Sequence, residues 1–411
     1  MNLSKVLIPG VLALMGCAGE VEAVDTAESA LGLGDVQLSV GGDHSCVFKS
    51  NKVFCWGFNY DGQLGDGSNT YRPSPVVVET APGAALKGAK VVALGDEHSC
   101  ALLGTREARC WGSNRWGELG NGETMSSYRP VTVDRQRGAP LKEISALALG
   151  HHHSCALLDS EVRCWGDNDT MQLGDGTTVE RTLPVTVQVA GVALRGVKTL
   201  AAGGGFNCAL LDSDEVRCWG SNYAGQLGNG TTASRSEVVT VETAPGVPLR
   251  GVKALALGMM HTCALLATGE VHCWGYNVRG QLGDGTTVDR AYPAPVKAAS
   301  GTPLKGVKAI SSGEHHSCAL LDNGQMRCWG YNKSGQLGDA TTTNRAYPVV
   351  VENSPGVALS GVTDISLGIL HSCAVLNRSQ VRCWGYNGAG QLGDGTTTTR
   401  LYPVKVELPA L

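Results

Sequence analysis

An all-β, seven-bladed β-propeller of four-stranded blades is the fold this sequence predicts, and three observations predict it. One unit of 54 or 55 residues recurs seven times. Each unit breaks into four short apolar runs separated by turn residues, with no sustained helical period. Gly is abundant, 56 of 411 residues, about twice the usual share of ~7%. Four short strands cannot bury both faces alone, so repeated four-strand units stack around an axis.

The repeat is aligned on the second cysteine of each unit: Cys55, Cys110, Cys164, Cys218, Cys273, Cys328 and Cys383, each followed by Trp-Gly. The first cysteines are Cys46, Cys100, Cys155, Cys208, Cys263, Cys318 and Cys373. In residues 252–296 the four runs are Val252–Leu257, Cys263–Leu266, Val271–Trp274 and a fourth beginning over Pro293–Val296. Thr268-Gly269 supplies the hairpin turn between the second and third, and Gly283-Asp284-Gly285 breaks the chain before the fourth. The chain opens its first unit at Val36-Gln37-Leu38 and closes with Pro403-Val404-Lys405-Val406. Val404–Leu408 is therefore expected to complete a blade with strands of the first unit and pin the ring shut.

Composition narrows the function classes. Lys+Arg number 33 against Asp+Glu 37, a net charge of −4, which leaves no electrostatic footprint for nucleic acid. Beyond the N-terminus no apolar run reaches the ~18 residues of a membrane span. Fifteen cysteines are too many for a reducing compartment unless they serve metal or redox chemistry.

Three segments follow: residues 1–17 an export signal with lipobox, 18–35 a flexible tether, and 36–411 the propeller. Lys5 precedes an apolar run from Val6 to Met15, the pattern of a bacterial export signal. Leu14-Met15-Gly16-Cys17 reads as a lipobox, with lipid on the Cys17 thiol; Val21-Glu22-Ala23 offers a rival cut after Ala23. The expected location is the cell envelope, lipid-anchored at the outer membrane, or secretion. The lipid is the one expected membrane contact, and a monomer is expected. Cys17 also accounts for the odd cysteine, since the other fourteen form seven pairs.

Each pair straddles the predicted hairpin at a spacing of 9 or 10. Directly opposed residues sit about 4.5–5.5 Å apart at Cα, within disulfide range. Export makes one disulfide per blade the default, although spacing alone does not set the connectivity. Zinc is the rival, because His44, His98, His153, His261, His316 and His371 each stand two residues before a first cysteine. The absence of Cys-x-x-Cys, and Asn207 in the remaining copy, argue against it. A histidine repeated blade by blade is expected to be structural, bonding a neighbouring backbone group. Asp66, Asp175, Asp284, Asp339 and Asp394, with Asn121 and Asn229, fall in Leu-Gly-[Asp/Asn] turns, where such side chains bond their own backbone. One Asp per turn does not make a calcium loop. His151-His152-His153 reads as an exposed turn rather than a metal site, and the Trp of each Cys-Trp-Gly as a wedge between blades. No metal and no cofactor are expected.

The G-x-x-H-S-C-A-L and W-G-x-N-x-x-G-Q-L-G-[DN]-G elements resemble the repeats of the regulator of chromosome condensation, RCC1, over roughly residues 36–411. That resemblance implies the propeller and says little of activity, because propellers host unrelated functions.

Where the copies differ is where function is expected. The turn after Trp-Gly reads FNYDGQLG, SNRWGELG, DNDTMQLG, SNYAGQLG, YNVRGQLG, YNKSGQLG and YNGAGQLG. Equivalent turns emerge on one face, so this chain would display there Tyr60, Arg115, Trp116, Asp169, Tyr223, Arg279 and Lys333. Aromatics and Arg are favoured at interface hot spots. Tyr276, Tyr331 and Tyr386, in one register, are expected to pack against the neighbouring blade. No nucleophile elbow, phosphate loop or dinucleotide fingerprint occurs. The favoured reading is a non-enzymatic module outside the cytoplasm that binds a protein partner through one face, as an inhibitor or envelope adaptor. Two alternatives stand beside it. One is guanine-nucleotide exchange, which the resemblance implies, although the even spacing leaves no room for a large inserted wedge. The other is a carbohydrate binder or envelope enzyme using the aromatic ring.

Overall fold

The computed structural model describes residues 36–159 and 161–409. The export signal, Cys17 and the tether lie outside the described residues. The chain forms seven four-stranded antiparallel sheets, each with its strands in sequence order. In the fifth blade they are Val252–Leu257, His261–Leu266, Val271–Gly275 and Arg290–Pro295. First strands of neighbouring blades touch: Gln37–Val40 meets both Ala89–Leu94 and Val362–Leu367. They therefore line the axis, and the fourth strands form the rim.

The fourth strand begins earlier than its apolar residues indicate. Arg290 pairs with Gly275 and Ala294 with Cys273 across a register shift, so a polar residue opens the strand. Five small two-stranded hairpins also follow fourth strands among the described residues, the first pairing Glu79–Ala81 with Ala84–Ala85. Their short, half-exposed sequences carry no apolar alternation to betray them.

All seven cysteine pairs are disulfides within a blade, Cys46–Cys55 through Cys373–Cys383. Their Cα separations are 4.0 to 4.1 Å, at the narrow-pair end of antiparallel spacing. The sulfurs belong to the cores between blades. Trp111 of the second blade packs on Cys46, Cys55, Val53 and Leu64 of the first, which is the wedge role expected of it. All seven such tryptophans are fully buried. Gly65, at φ +67°, has to be glycine, because a Cβ there would stand 2.8 Å from Trp111 Nε1.

One relay repeats at the seams. The carbonyl of Gln63 accepts from Trp111 Nε1 at 2.9 Å and from Ser99 Oγ at 2.8 Å, both on the next blade. Ser99 has spent its proton there, so His44 Nε2 is the donor in its 2.8 Å bond to Ser99 Oγ. His98–Ser154, His261–Ser317, His316–Ser372 and His371–Ser45 repeat this bond, and His153 meets Asn207 Oδ1. The histidines are thus structural, but their Nε2 partner is a side chain of the next blade rather than the backbone. At the seam after the fourth blade Phe206 takes the histidine's place, and Thr262 Oγ1 still donates to the Gln226 carbonyl.

Ring closure differs from the expectation. Val404 pairs with Cys383 inside the seventh blade, and the first blade is complete with its own Arg72–Val77. No strand is shared. The ends are joined by the same seam as elsewhere: Trp56 Nε1 donates to Gln391 O at 2.9 Å and Val40 N to Ser366 Oγ at 3.0 Å. Val406, with Leu408 beside it, packs into the cluster of Leu38, Trp56 and Val381. Every blade already has four strands, so closure needs no shared strand: packing and seam hydrogen bonds complete it, among them Val36 N to Arg378 O and Ile369 N to Gly42 O, both at 3.0 Å. Trp56→Ala is expected to cost about 3–5 kcal/mol, the usual range for a buried tryptophan. Urea denaturation checks this, and a cost below ~1 kcal/mol would show that the closing seam is not held by the wedge.

Candidate binding face

Antiparallel order brings two connections of every blade to one face. One is the short turn between first and second strands; the other is the longer loop between third and fourth. They are tied together, as Phe58 N donates to Asp43 O and Tyr331 N to His315 O, both at 2.9 Å. Each loop is built on a buried asparagine. Asn277 Oδ1 accepts from Leu282 N, and its Nδ2 donates to Asp284 and to the carbonyls of Thr286 and Val288. The turn aspartates bond their own backbone as expected: Asp284 Oδ1 accepts from Thr286 N at 2.9 Å. They also pair with an arginine six residues on, in Asp66–Arg72, Asp175–Arg181, Asp284–Arg290, Asp339–Arg345 and Asp394–Arg400. These bonds hold each carboxyl below its ordinary range against the opposing effect of burial. The joint recurrence of Asp and Arg could have revealed the pairing from sequence.

On this frame the variable side chains stand outward. Tyr60 is 59% exposed and Tyr223 69%; Arg115, Asp169, Arg279 and Lys333 are exposed too. Trp116 is half-buried, with its ring 6.4 Å from that of His152. Tyr276 and Tyr331 are half-buried as expected, whereas Tyr386 is exposed, its ring lying beside Gly388.

Sequence reasoning passed over the inner ring, the two residues before each second strand. These are Gly42-Asp43, Asp96-Glu97, His151-His152, Gly204-Gly205, Met259-Met260, Glu314-His315 and Ile369-Leu370, half-buried except for the buried Gly42. They differ between copies as much as the outer loops do, which was the available signal. His151-His152-His153 is therefore not an exposed turn: His153 is buried, and His151 Nε2 lies 2.6 Å from Asp96. Burial, with Asp96 nearby, raises the carboxyl pKa values of Asp43 and Glu314; burial, with Asp61 and Asp96 nearby, raises that of Glu97. Acids thus gather over the first, second and sixth blades. No group of three metal-ligating side chains occurs among the described residues.

The face divides by chemistry. Arg279 lies over the Tyr331 ring, 5.4 Å from its centroid. His315 sits between Tyr276 and Tyr331, at 5.8 and 6.5 Å. An aromatic and cationic sector on the fifth and sixth blades therefore adjoins the acidic sector of the first and second, with Glu314, 3.4 Å from His315 Nε2, between them.

A ring of disulfide-stapled four-stranded blades with one variable loop face defines a seven-bladed propeller. The chain belongs to the RCC1-like domain family, which it matches over residues 78–411, with RCC1 repeats matched at 50–102 and 36–63. It is 32% identical over 377 residues to the ultraviolet-B receptor UVR8 of Arabidopsis thaliana, covering 90% of this chain and 81% of that one. Human WBSCR16 has a similar structure, with TM-score 0.73 at 22% identity, over 87% of this chain and 95% of that one. Prp20p of Saccharomyces cerevisiae, described with its binding properties to Gsp1p and histones, gives TM-score 0.67 at 22% identity over 82% of each chain. These two structural likenesses establish the fold alone.

Proposed function

We propose that this protein is a non-enzymatic propeller working outside the cytoplasm, which binds a protein partner through its loop face. The observation that carries the reading is the exposure of large side chains on an otherwise rigid frame. Tyr60 and Tyr223 are 59% and 69% exposed, and each is set by a buried asparagine clamp. Such side chains lose little entropy on binding and bury much area, as hot-spot residues do. Seven disulfides support an oxidising compartment, and binding of Gsp1p and histones by Prp20p is a precedent for partner recognition on this scaffold. Inhibition of the partner or adaptor work in the envelope are the two uses this reading allows.

Affinity capture with two baits tests it. The chain is folded under oxidising conditions, and a parallel bait carries Tyr60→Ala, Trp116→Ala, Tyr223→Ala and Arg279→Ala. A protein retained by the first and lost from the second is expected. Equal retention by both baits would place recognition elsewhere.

A further inference from the structure

The aromatic and cationic sector has unspent hydrogen-bond donors at its surface, while beneath them His315 Nδ1 is buried without a partner and His315 Nε2 lies 3.4 Å from the Glu314 carboxylate. Arg279 and Lys333 are exposed and make no ion pair among the described residues. Arg279 is held over Tyr331 by its π face, which orients the guanidinium while leaving its N–H groups free. Beneath them lies Gln281, fully buried, with its Nε2 lacking any partner in the protein. Its Oε1 accepts from Arg279 N at 2.9 Å, so the amide is clamped to the same loop. In the seventh blade the equivalent amide, Gln391 Nε2, donates at 2.9 Å to Asp43 of the next blade. By the repeat, His315 stands where Asp43 stands, preceding His316 as Asp43 precedes His44, and Gln63 Nε2 and Gln336 Nε2 are likewise without a partner. A guanidinium, an ammonium and a buried amide are all donors, and a buried donor without an acceptor is costly.

We infer that this seam, formed by Tyr276, Arg279, Gln281, His315, Tyr331 and Lys333, receives an acidic segment of the protein partner. The inference rests on the protein-binding reading above. A carboxylate side chain accepts in two directions at once and pairs with Arg279 in fork geometry. The flanking Tyr276 and Tyr331 rings cover the aliphatic part of the incoming residue. The carboxylates at Asp43, Asp96 and Glu97 belong to the other sector and Glu314 is engaged with His315 at 3.4 Å, so an acidic segment is directed to the exposed Arg279 and Lys333 of this seam.

Fluorescence anisotropy of labelled tetraglutamate, with tetralysine as counterpart, tests the inference at low and physiological salt without needing the captured partner. The intact chain is expected to bind tetraglutamate. The Arg279→Gln/Lys333→Gln variant is expected to bind it about tenfold more weakly. A Lys49→Gln/Lys52→Gln variant changes net charge equally on the hairpin of the opposite face, and is expected to bind as the intact chain does. Equal binding by all three proteins, or no binding by the intact chain, would overturn the inference while leaving the capture result standing. Concentration-dependent self-association lost in the Arg279→Gln/Lys333→Gln variant would overturn it too, by naming a second copy as the occupant.

Discussion

Reduction of the seven disulfides is expected to unfold the propeller. Each closes a loop of about ten residues, worth roughly 2.5–3 kcal/mol by loop-closure entropy. Together they exceed the ~5–15 kcal/mol of net stability usual for a folded domain. A blade without its staple also loses the cystine that its neighbour's tryptophan packs against, as Trp111 packs on Cys46 and Cys55. The fourteen cysteines are at most 1% exposed, so a reductant in native buffer is expected to act slowly and denaturant to accelerate it. The reduced, alkylated chain should show no cooperative melt by circular dichroism. Removal of one staple, as Cys263→Ala/Cys273→Ala, should cost about 2.5–3 kcal/mol plus a small cavity cost. A native-like melt of the reduced chain would mean that packing alone holds the ring.

Acid is expected to be the second large perturbation, through the buried histidines. Burial lowers His44 and His153 to about 4, His261, His316 and His371 to about 3, and His98 well below its ordinary value. The cause is local: Nε2 donates to the next blade, and Nδ1 is buried without a partner. A folded pKa below the unfolded 6.5 means the unfolded chain binds more protons between those values. Stability is therefore complete above pH ~6.5 and falls as pH drops toward 4, at up to ~1.4 kcal/mol per pH unit for each histidine. His152, His272 and His315, lowered by burial, add to the slope in smaller measure. His151, raised by Asp96 against burial, opposes it, as do Asp43, Glu97, Glu118 and Glu314, raised by burial. The aspartates paired with arginine act only in a lower window, near and below 3.8. Six strongly shifted histidines outweigh the opposing groups, and acid unfolding is expected near pH 5. The fourth blade supplies the control, because Phe206 fills the same position without a titrating group. His371→Phe should move the acid midpoint downward and remove close to one proton from the transition. An unshifted midpoint would show that the histidines do not govern acid lability.

The tolerance of Phe206 also shows why the histidine was hard to read from sequence. A residue two positions before a cysteine, repeated in six blades, fits a zinc ligand, a backbone clamp or a seam donor equally well. Only the placement of the next blade's serine, 55 or 56 residues away, chooses among them. The disulfides were more legible, because their partners lie across one hairpin and hairpin register follows from turn length. Tyr60, Arg115, Asp169, Tyr223, Arg279 and Lys333 were legible as exposed by the same locality: each varies on a loop whose frame residues repeat. Trp116 was less so, since the ring that half-covers it, His152, comes from the adjacent blade.

Blade count, the four-strand unit, the wedge tryptophans and the pairing of cysteines within a blade are all readable along the chain. The cysteine pairs lie across one hairpin, set by strand alternation and turn chemistry, and the rest is carried by the repeat period itself. Blade stacking settles how the ring closes, what the histidines bond, and that Asp43, Asp96 and Glu314 face one another while Arg279 lies over Tyr331 beside His315. These are contacts between blades, and their partners are chosen by the packing angle of whole sheets around an axis. A one-dimensional repeat carries the fact of that stacking, but not which variable side chains it brings together.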